Sequence, residues 1–276
     1  MDAYFADRSD RIKLRFTGPQ RAWFLHQILT QAFEDIAPGG AREAAMLTAH
    51  GRMVGYLEVL ATEDALLAHM EPTLADFPDA IRRYVFATQV EIEDVTDEMS
   101  LILVHGPQQE AAAEAVPGAL VHPTEALGAP AAYLWLPAEQ REAAEEALIG
   151  AGARGTGEAE LEALRIRHGA PRWGRDMDAK TFPQEAGIDR WAVDFDKGCY
   201  VGQEAMAKIH FRGKVNRRLA RLEGEELPEG AAVSSEGAKV GVVTSSVPGF
   251  ALAMVKYTIE PGTVVKVGDA DAKVAG

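Results

Sequence analysis

The sequence predicts an α+β protein, a pseudo-repeated body followed by a small C-terminal β-barrel. Two observations carry this expectation. Residues 12–20, Ile-Lys-Leu-Arg-Phe-Thr-Gly-Pro-Gln, and residues 101–108, Leu-Ile-Leu-Val-His-Gly-Pro-Gln, are each an apolar strand-like run closed by Gly-Pro-Gln and followed by a helical pattern. After Arg221 the texture changes. Short apolar runs at 219–222, 239–244, 251–257 and 263–267 alternate with Gly and Pro turns, and helical periodicity fades. The body is assigned to residues 1–206 and the barrel to 207–276.

Taken in order, the first Gly-Pro-Gln turn opens a helix with Trp23, Phe24, Ile28 and Leu29 on one face. Gly55–Leu60 and Ala65–His69 read as a hairpin pair, and Glu71-Pro72-Thr73 starts a helix to about Phe86, with Thr73 as cap. Residues 89–95 alternate like a half-buried strand. The second Gly-Pro-Gln precedes an alanine-rich helical run at 110–116, and 131–136 is a further strand. Pro137 opens a helix over 138–149 that Gly150 and Gly152 end, and 157–168 forms another, stopped by Gly169 and Pro171. Residues 170–196 read as a long irregular segment. Its Trp173, Phe182, Trp191 and Phe195 argue for order, and ordered loops of that length usually carry function.

The 276 residues suffice for a large core, and the formal net charge is −14. That charge disfavours non-specific nucleic-acid binding, because phosphates would be repelled by most of the surface. No apolar run approaches the roughly 20 residues that cross a bilayer. Met1-Asp-Ala-Tyr-Phe-Ala-Asp-Arg lacks the basic start and apolar run of a secretory leader, so no membrane partner is expected. A single cysteine excludes an intrachain disulfide or a four-cysteine metal site, and the cytoplasm is the natural compartment. The seven histidines show no metal spacing, so no metal site is assigned.

The densest chemistry lies at 197–204, Lys-Gly-Cys-Tyr-Val-Gly-Gln-Glu. Cys199 stands between Gly198 and Gly202, glycines that allow tight turns and close approach to a ligand, with Tyr200 beside it and Lys197 as a basic neighbour favouring the thiolate. A lone cysteine is most often a small buried hydrophobe; this setting favours a partly exposed, functional thiol. Gln203 and Glu204 suit the cap of a following helix or a ligand contact. From Ala205 to Leu222 no residue is acidic, while Lys208, Arg212, Lys214, Arg217, Arg218 and Arg221 are basic, which marks either a solvated face or an anion site.

Residues 182–204, from Phe-Pro-Gln-Glu-Ala-Gly-Ile to the cysteine block, resemble the signature of the YgfZ-type folate-binding proteins, relatives of the glycine-cleavage T protein (aminomethyltransferase). Phe211-Arg212-Gly213, Leu164-Arg165-Ile166 with Gly169 and Pro171, Leu47-Thr48 with Gly51-Arg52, and Gly241 to Ser246 fit the same superfamily, so the resemblance covers nearly the whole chain. It implies a ferredoxin-like, T-protein-like ring body around a folate channel, followed by the barrel. It also implies a tetrahydrofolate-type ligand and an accessory role for Cys199 toward iron–sulfur proteins, including a tRNA-thiolating enzyme. Within that frame, Trp173, Trp191 and Tyr200 are sized to stack a pterin, and Glu204 and Glu185 are candidates for pterin contact. Arg212, Lys214, Arg217 and Arg218 are candidates for the folate tail.

Two departures from the superfamily pattern matter. The paired aspartates of the T-protein enzymes align with Gly55 and Tyr56, so aminomethyl transfer by that route is not expected. A pterin-reading glutamate aligns with Arg167, which offers only donors. Arg165, Arg167, Arg172 and Arg175 form a second basic group expected to face the channel and to favour a more anionic ligand. The leading reading is an accessory factor that binds a folate and acts through Cys199. The alternatives are a folate-dependent one-carbon transferase and, disfavoured by net charge, an RNA-binding module.

Overall fold

The structure, a computed structural model, describes residues 2–213 and 215–275, the Arg212 side chain excepted. The body opens with β1 (Tyr4–Asp7), β2 (Ile12–Thr17) and α1 (Arg21–Ile28). Then come β3 (Ala41–Leu47), β4 (Met53–Ala61), β5 (Leu66–Met70), α2 (Phe77–Arg82) and β6 (Glu91–Asp94). The second half holds β7 (Met99–His105), α3 (Gln109–Ala113), β8 (Leu120–Thr124), β9 (Ala131–Pro137), α4 (Arg141–Gly150) and β10 (Arg154–Gly155). These strands make two five-stranded sheets, ordered β3-β4-β5-β2-β6 and β10-β1-β7-β9-β8.

The repeat is physical. Gly18 and Gly106 both adopt left-handed backbone, with φ of +94° and +102°. A Cβ on Gly18 would sit 2.6 Å from the Gln89 carbonyl oxygen, and one on Gly106 would sit 3.0 Å from that of Asp2. Each motif glutamine then clamps the same backbone. Gln20 donates its N–H to Gln89 O (3.2 Å) and accepts the Gln89 N–H on Oε1 (2.7 Å). Gln108 does the same to Asp2, at 3.1 and 2.6 Å. Thus β1 completes the second sheet as β6 completes the first, each running antiparallel beside the strand that leads into Gly-Pro-Gln.

The faces of the two sheets meet. Leu60 and Leu67 from the first pack with Leu101, Leu103, Tyr133 and Trp135 from the second. This apolar contact is the natural driving force for closing the body around a centre. The other face of the first sheet buries Phe16, Phe24, Leu25 and Phe33.

α5 (Glu158–His168) ends at Gly169, whose φ of +81° forms the left-handed stop expected of a helix-terminating glycine. The segment after it is better ordered than the sequence suggests, since it contains α6 (Pro183–Ala186) and α7 (Asp189–Ala192). The long helix expected over 73–86 does not form. A single 3-10 turn at Pro72–Leu74 precedes α2, because Pro78 lacks an N–H and fits only the first turn of a new helix.

α8 (Gln203–Arg212) leads into the barrel, so the boundary expected at 206 falls within a helix. The barrel comprises β11 (Arg217–Glu223), β12 (Ala232–Ser235), β13 (Ala238–Val247), β14 (Phe250–Lys256), β15 (Val264–Val267) and β16 (Ala270–Val274). It closes in the order β11-β14-β13-β12-β15-β16 and has its own core of Leu222, Val233, Val255, Val265 and Val274.

Candidate functional site

A cavity opens where β3, β4 and the end of β5 face α5 and the 170–177 segment. Its inner chamber measures about 80 Å³. An outer chamber of about 580 Å³ shares Glu43, Glu125, Ala170 and Trp191 with it, so these four residues border both chambers. The outer chamber is within the usual range of small-molecule sites, roughly 300–1,000 Å³.

Charge is concentrated in the inner chamber. Its wall carries Glu43, Glu58, Glu71, Glu125, Glu158 and Glu162 against Arg8, Arg11, Arg165 and Arg172. The arginines are engaged. Arg11 lies 2.6 Å from Glu71 and 3.3 Å from Glu58, and Arg172 lies 3.0 Å from Glu71 and 2.8 Å from Glu162. Arg8 pairs with Glu158, and Arg165 pairs with Glu162 at 2.6 Å and with Asp176. Burial acts to raise the Glu71 carboxyl, but Arg11, Arg172 and Arg8 outweigh it and hold it below the usual range. The expectation of a basic channel is therefore corrected. Arg165 and Arg172 do face the cavity, but intramolecular carboxylates neutralise them.

Glu43 differs from the other carboxylates. In the antiparallel register it lies opposite Glu58, and Tyr56 lies on the same face of β4. Its Oε2 accepts the Trp191 indole N–H at 3.0 Å and a hydrogen bond from the Tyr56 hydroxyl. No guanidinium of the described residues pairs with it. Burial, reinforced by the Glu58 charge, pushes its carboxyl up to about 8. Burial also raises Glu58, against the pull of Arg11 and the Thr124 hydroxyl at 2.6 Å.

This amends the reading of positions 55 and 56. Gly55 faces the Phe77 ring, which a Cβ would approach to 2.5 Å, so no side chain fits there. Tyr56 enters the cavity and binds a carboxyl supplied by the neighbouring strand. Sequence spacing could not reveal Glu43, because its proximity to Tyr56 arises from strand register.

Glu58, His69 and His122 also converge, with one ligand-type atom of each within 4.8 Å of the others. The histidine tautomers argue against a metal. Arg11 Nη1 lies 3.0 Å from His69 Nδ1, and the Trp135 indole N–H donates to His122 Nδ1 at 3.3 Å. Both partners can only donate, so both Nδ1 atoms accept and both rings carry their proton on Nε2. A metal-bound imidazole needs the opposite arrangement, a bare ligating nitrogen and a protonated partner nitrogen. Burial and Arg11 keep both rings neutral, His122 down to about 3.

The other residues singled out in the sequence fall into separate places. Trp173 is buried and lines the inner chamber. Cys199 is exposed and belongs to neither chamber wall. Lys197 is buried and turned inward, donating to Leu29 O (2.7 Å), Gln31 O (3.0 Å) and His26 O with its Nζ over the Tyr200 ring. Its ammonium thus anchors the loop to the end of α1. Tyr200 is buried with it. Gln203 donates to the Lys197 carbonyl at 3.3 Å, and Glu204 pairs on the surface with Lys208 at 2.7 Å. Gly202 is left-handed, with φ of +88°, and a Cβ there would lie 2.5 Å from Thr48 O; Gly198 has open space around it. The close approach is therefore made to the chain itself, at Gly202 alone.

Glu185 is buried, caps α6 through the Phe182 N–H (3.0 Å) and pairs with Arg217 at 3.0 Å. Arg218 donates to Ile259 O at 2.8 Å within the barrel region. Arg167 points away from the cavity, its guanidinium 5.8 Å from the Phe250 ring centre. The cavity-facing stripe of α5 is Glu158, Leu161, Glu162 and Arg165, spaced by three or four residues, and 167 lies off it. Arg167 thus lies outside both chamber walls. The Arg212 side chain and Lys214 lie outside the described residues.

No family model matches the chain. It is 26% identical to a chloroplastic transferase-like protein of Arabidopsis thaliana, across 93% of this chain and 66% of that protein's length. It is 29% identical to the aminomethyltransferase of Rubrobacter xylanophilus, across 87% of this chain and 70% of that one. The crystal structure of the glycine cleavage system aminomethyltransferase T from Bartonella henselae superposes on all of this chain and 85% of its own, with a TM-score of 0.87 at 21% identity. These likenesses place the chain in the glycine-cleavage T-protein (aminomethyltransferase) superfamily. The α+β body and the six-stranded C-terminal barrel are the fold of that superfamily member. Among the described residues, no helix is long and apolar enough to cross a membrane.

Proposed function

We propose that this chain binds a reduced folate in the two-chambered cavity and works in one-carbon group transfer. The observation that carries the reading is the inner chamber itself, rich in carboxylates and lined by Glu43, Tyr56 and Trp191. A pterin presents adjacent N–H donors, and carboxylates are the side chains that accept paired donors. Trp173 and Trp191 supply flat apolar walls. At the outer chamber, Arg190 gives only its Nε–H to a described protein acceptor, the Gly187 carbonyl. It suits the carboxylates of a folate tail better than Arg218, whose guanidinium the Ile259 carbonyl holds. Relatives named aminomethyltransferases support the transfer chemistry.

Exposure of Cys199 favours a second, compatible role, that of the YgfZ-type proteins. A lone thiol cannot build a cluster site, but on an open loop outside the cavity it can meet an iron–sulfur protein, tRNA-modifying enzymes included. A reducing compartment such as the cytoplasm would keep it available. One experiment separates the two roles. The protein is titrated with 5-formyltetrahydrofolate by calorimetry, and Cys199 is labelled with a thiol reagent in the same samples. One folate per chain, and a labelling rate that folate leaves unchanged, are expected. Absence of binding removes the folate reading; labelling only after unfolding removes the thiol role.

A further inference from the structure

The geometry points to Glu43 as the group that reads the donor edge of the bound ring, supplying from β3 the carboxyl that positions 55 and 56 do not carry. This rests on the folate reading above. Glu43 lines both chambers, so a ring seated in either one meets it. Tyr56 and Trp191 both donate to its Oε2, which fixes the carboxyl plane. Its Oε1 accepts nothing from the described residues. Once ionised, an oxygen held open in this way offers its lone pairs to adjacent N–H groups. The other inner carboxylates are less available. Glu71 and Glu162 are bound by arginines, and Glu58 by Arg11 and Thr124.

The charges facing Glu43 give the contact a proton signature. Glu58 comes from β4, Glu125 from the turn just after β8, Arg11 from the turn before β2 and Arg190 from α7, with Tyr56, Trp191 and neutral His122 alongside. The two carboxylates and burial keep the free group protonated at neutral pH, the distant guanidiniums notwithstanding. Ring N–H donors stabilise the ionised form, so binding must expel the proton. Affinity then rises with pH until it passes about 8, where the free group is already ionised.

The test is calorimetry of wild type and Glu43→Gln with 5-formyltetrahydrofolate, in two buffers of different ionisation enthalpy and across pH 6–9. Wild type should release close to one proton at pH 7. Glu43→Gln, whose amide turns a donor toward the ring, should bind roughly ten- to a hundredfold more weakly and release none. Its melting temperature, at or above that of wild type at pH 8, reports that it folds. Folate binding by wild type without proton release overturns the inference while leaving the folate reading intact, as does unchanged affinity in Glu43→Gln. No binding by wild type overturns both.

Discussion

At the scale of single residues, two glycines that look alike in the sequence do different work. Gly202 holds φ at +88° with the Thr48 carbonyl and Leu47 pressed against it, so alanine there meets both a strained backbone and a clash. Gly202→Ala should cost about 1–3 kcal/mol of stability by urea denaturation. Gly198→Ala, in open space, should stay within about 0.5 kcal/mol. Equal costs at the two positions would mean that this packing account is wrong. The cysteine block was legible in the sequence as a dense local motif, but its parts were not. Lys197 reads as an activator of Cys199 because they are near neighbours in sequence, yet a long flexible stem lets its ammonium reach three carbonyls near the end of α1 instead. Adjacency in sequence does not determine where a lysine head group goes.

At the scale of elements, the repeated Gly-Pro-Gln was readable because turn chemistry is local. Glycine takes the left-handed turn, proline stiffens it, and glutamine returns to the backbone of the neighbouring strand. Gln20→Ala and Gln108→Ala should each cost about 1 kcal/mol. Amide exchange should accelerate at Gln89 in the first variant and at Asp2 in the second. If exchange at those amides does not change, the glutamine side chains are not the clamps. β3 was not readable. Ala44-Ala45-Met46-Leu47 is buried throughout, shows no alternation and is built of good helix formers; only pairing with β4 makes it a strand. The cavity inherits this difficulty, since Glu43 lies on that unread strand. His69 and His122 likewise meet only because the two sheets face each other, although they are far apart in the chain.

At the scale of the whole molecule, one carboxylate joins body to barrel. Asp176 Oδ1 accepts the hydroxyls of Thr244 (2.5 Å) and Ser245 (2.8 Å) on β13, and Oδ2 accepts from Arg165 and from the Arg172 N–H (3.1 Å). Ser245 also accepts from Arg165 at 2.8 Å, which closes the network across the junction. The Gly241–Ser246 stretch therefore serves as the barrel's docking edge, and Arg165 links that edge to the cavity wall. Asp176 is 3% exposed, so its removal leaves a buried guanidinium short of one partner. Asp176→Ala should cost about 3–5 kcal/mol. The Glu185–Arg217 pair also spans the junction, but its arginine is 40% exposed, so Glu185→Gln should cost only about 1 kcal/mol. All four tryptophans, Trp23, Trp135, Trp173 and Trp191, lie in the body, so their fluorescence follows the body while far-ultraviolet circular dichroism follows both parts. The two signals should unfold together in wild type and separate in Asp176→Ala, with the barrel, which owns its core, persisting after the body has opened. Coincident transitions in the variant, with a loss below about 1 kcal/mol, would show that apolar contact alone holds the barrel in place.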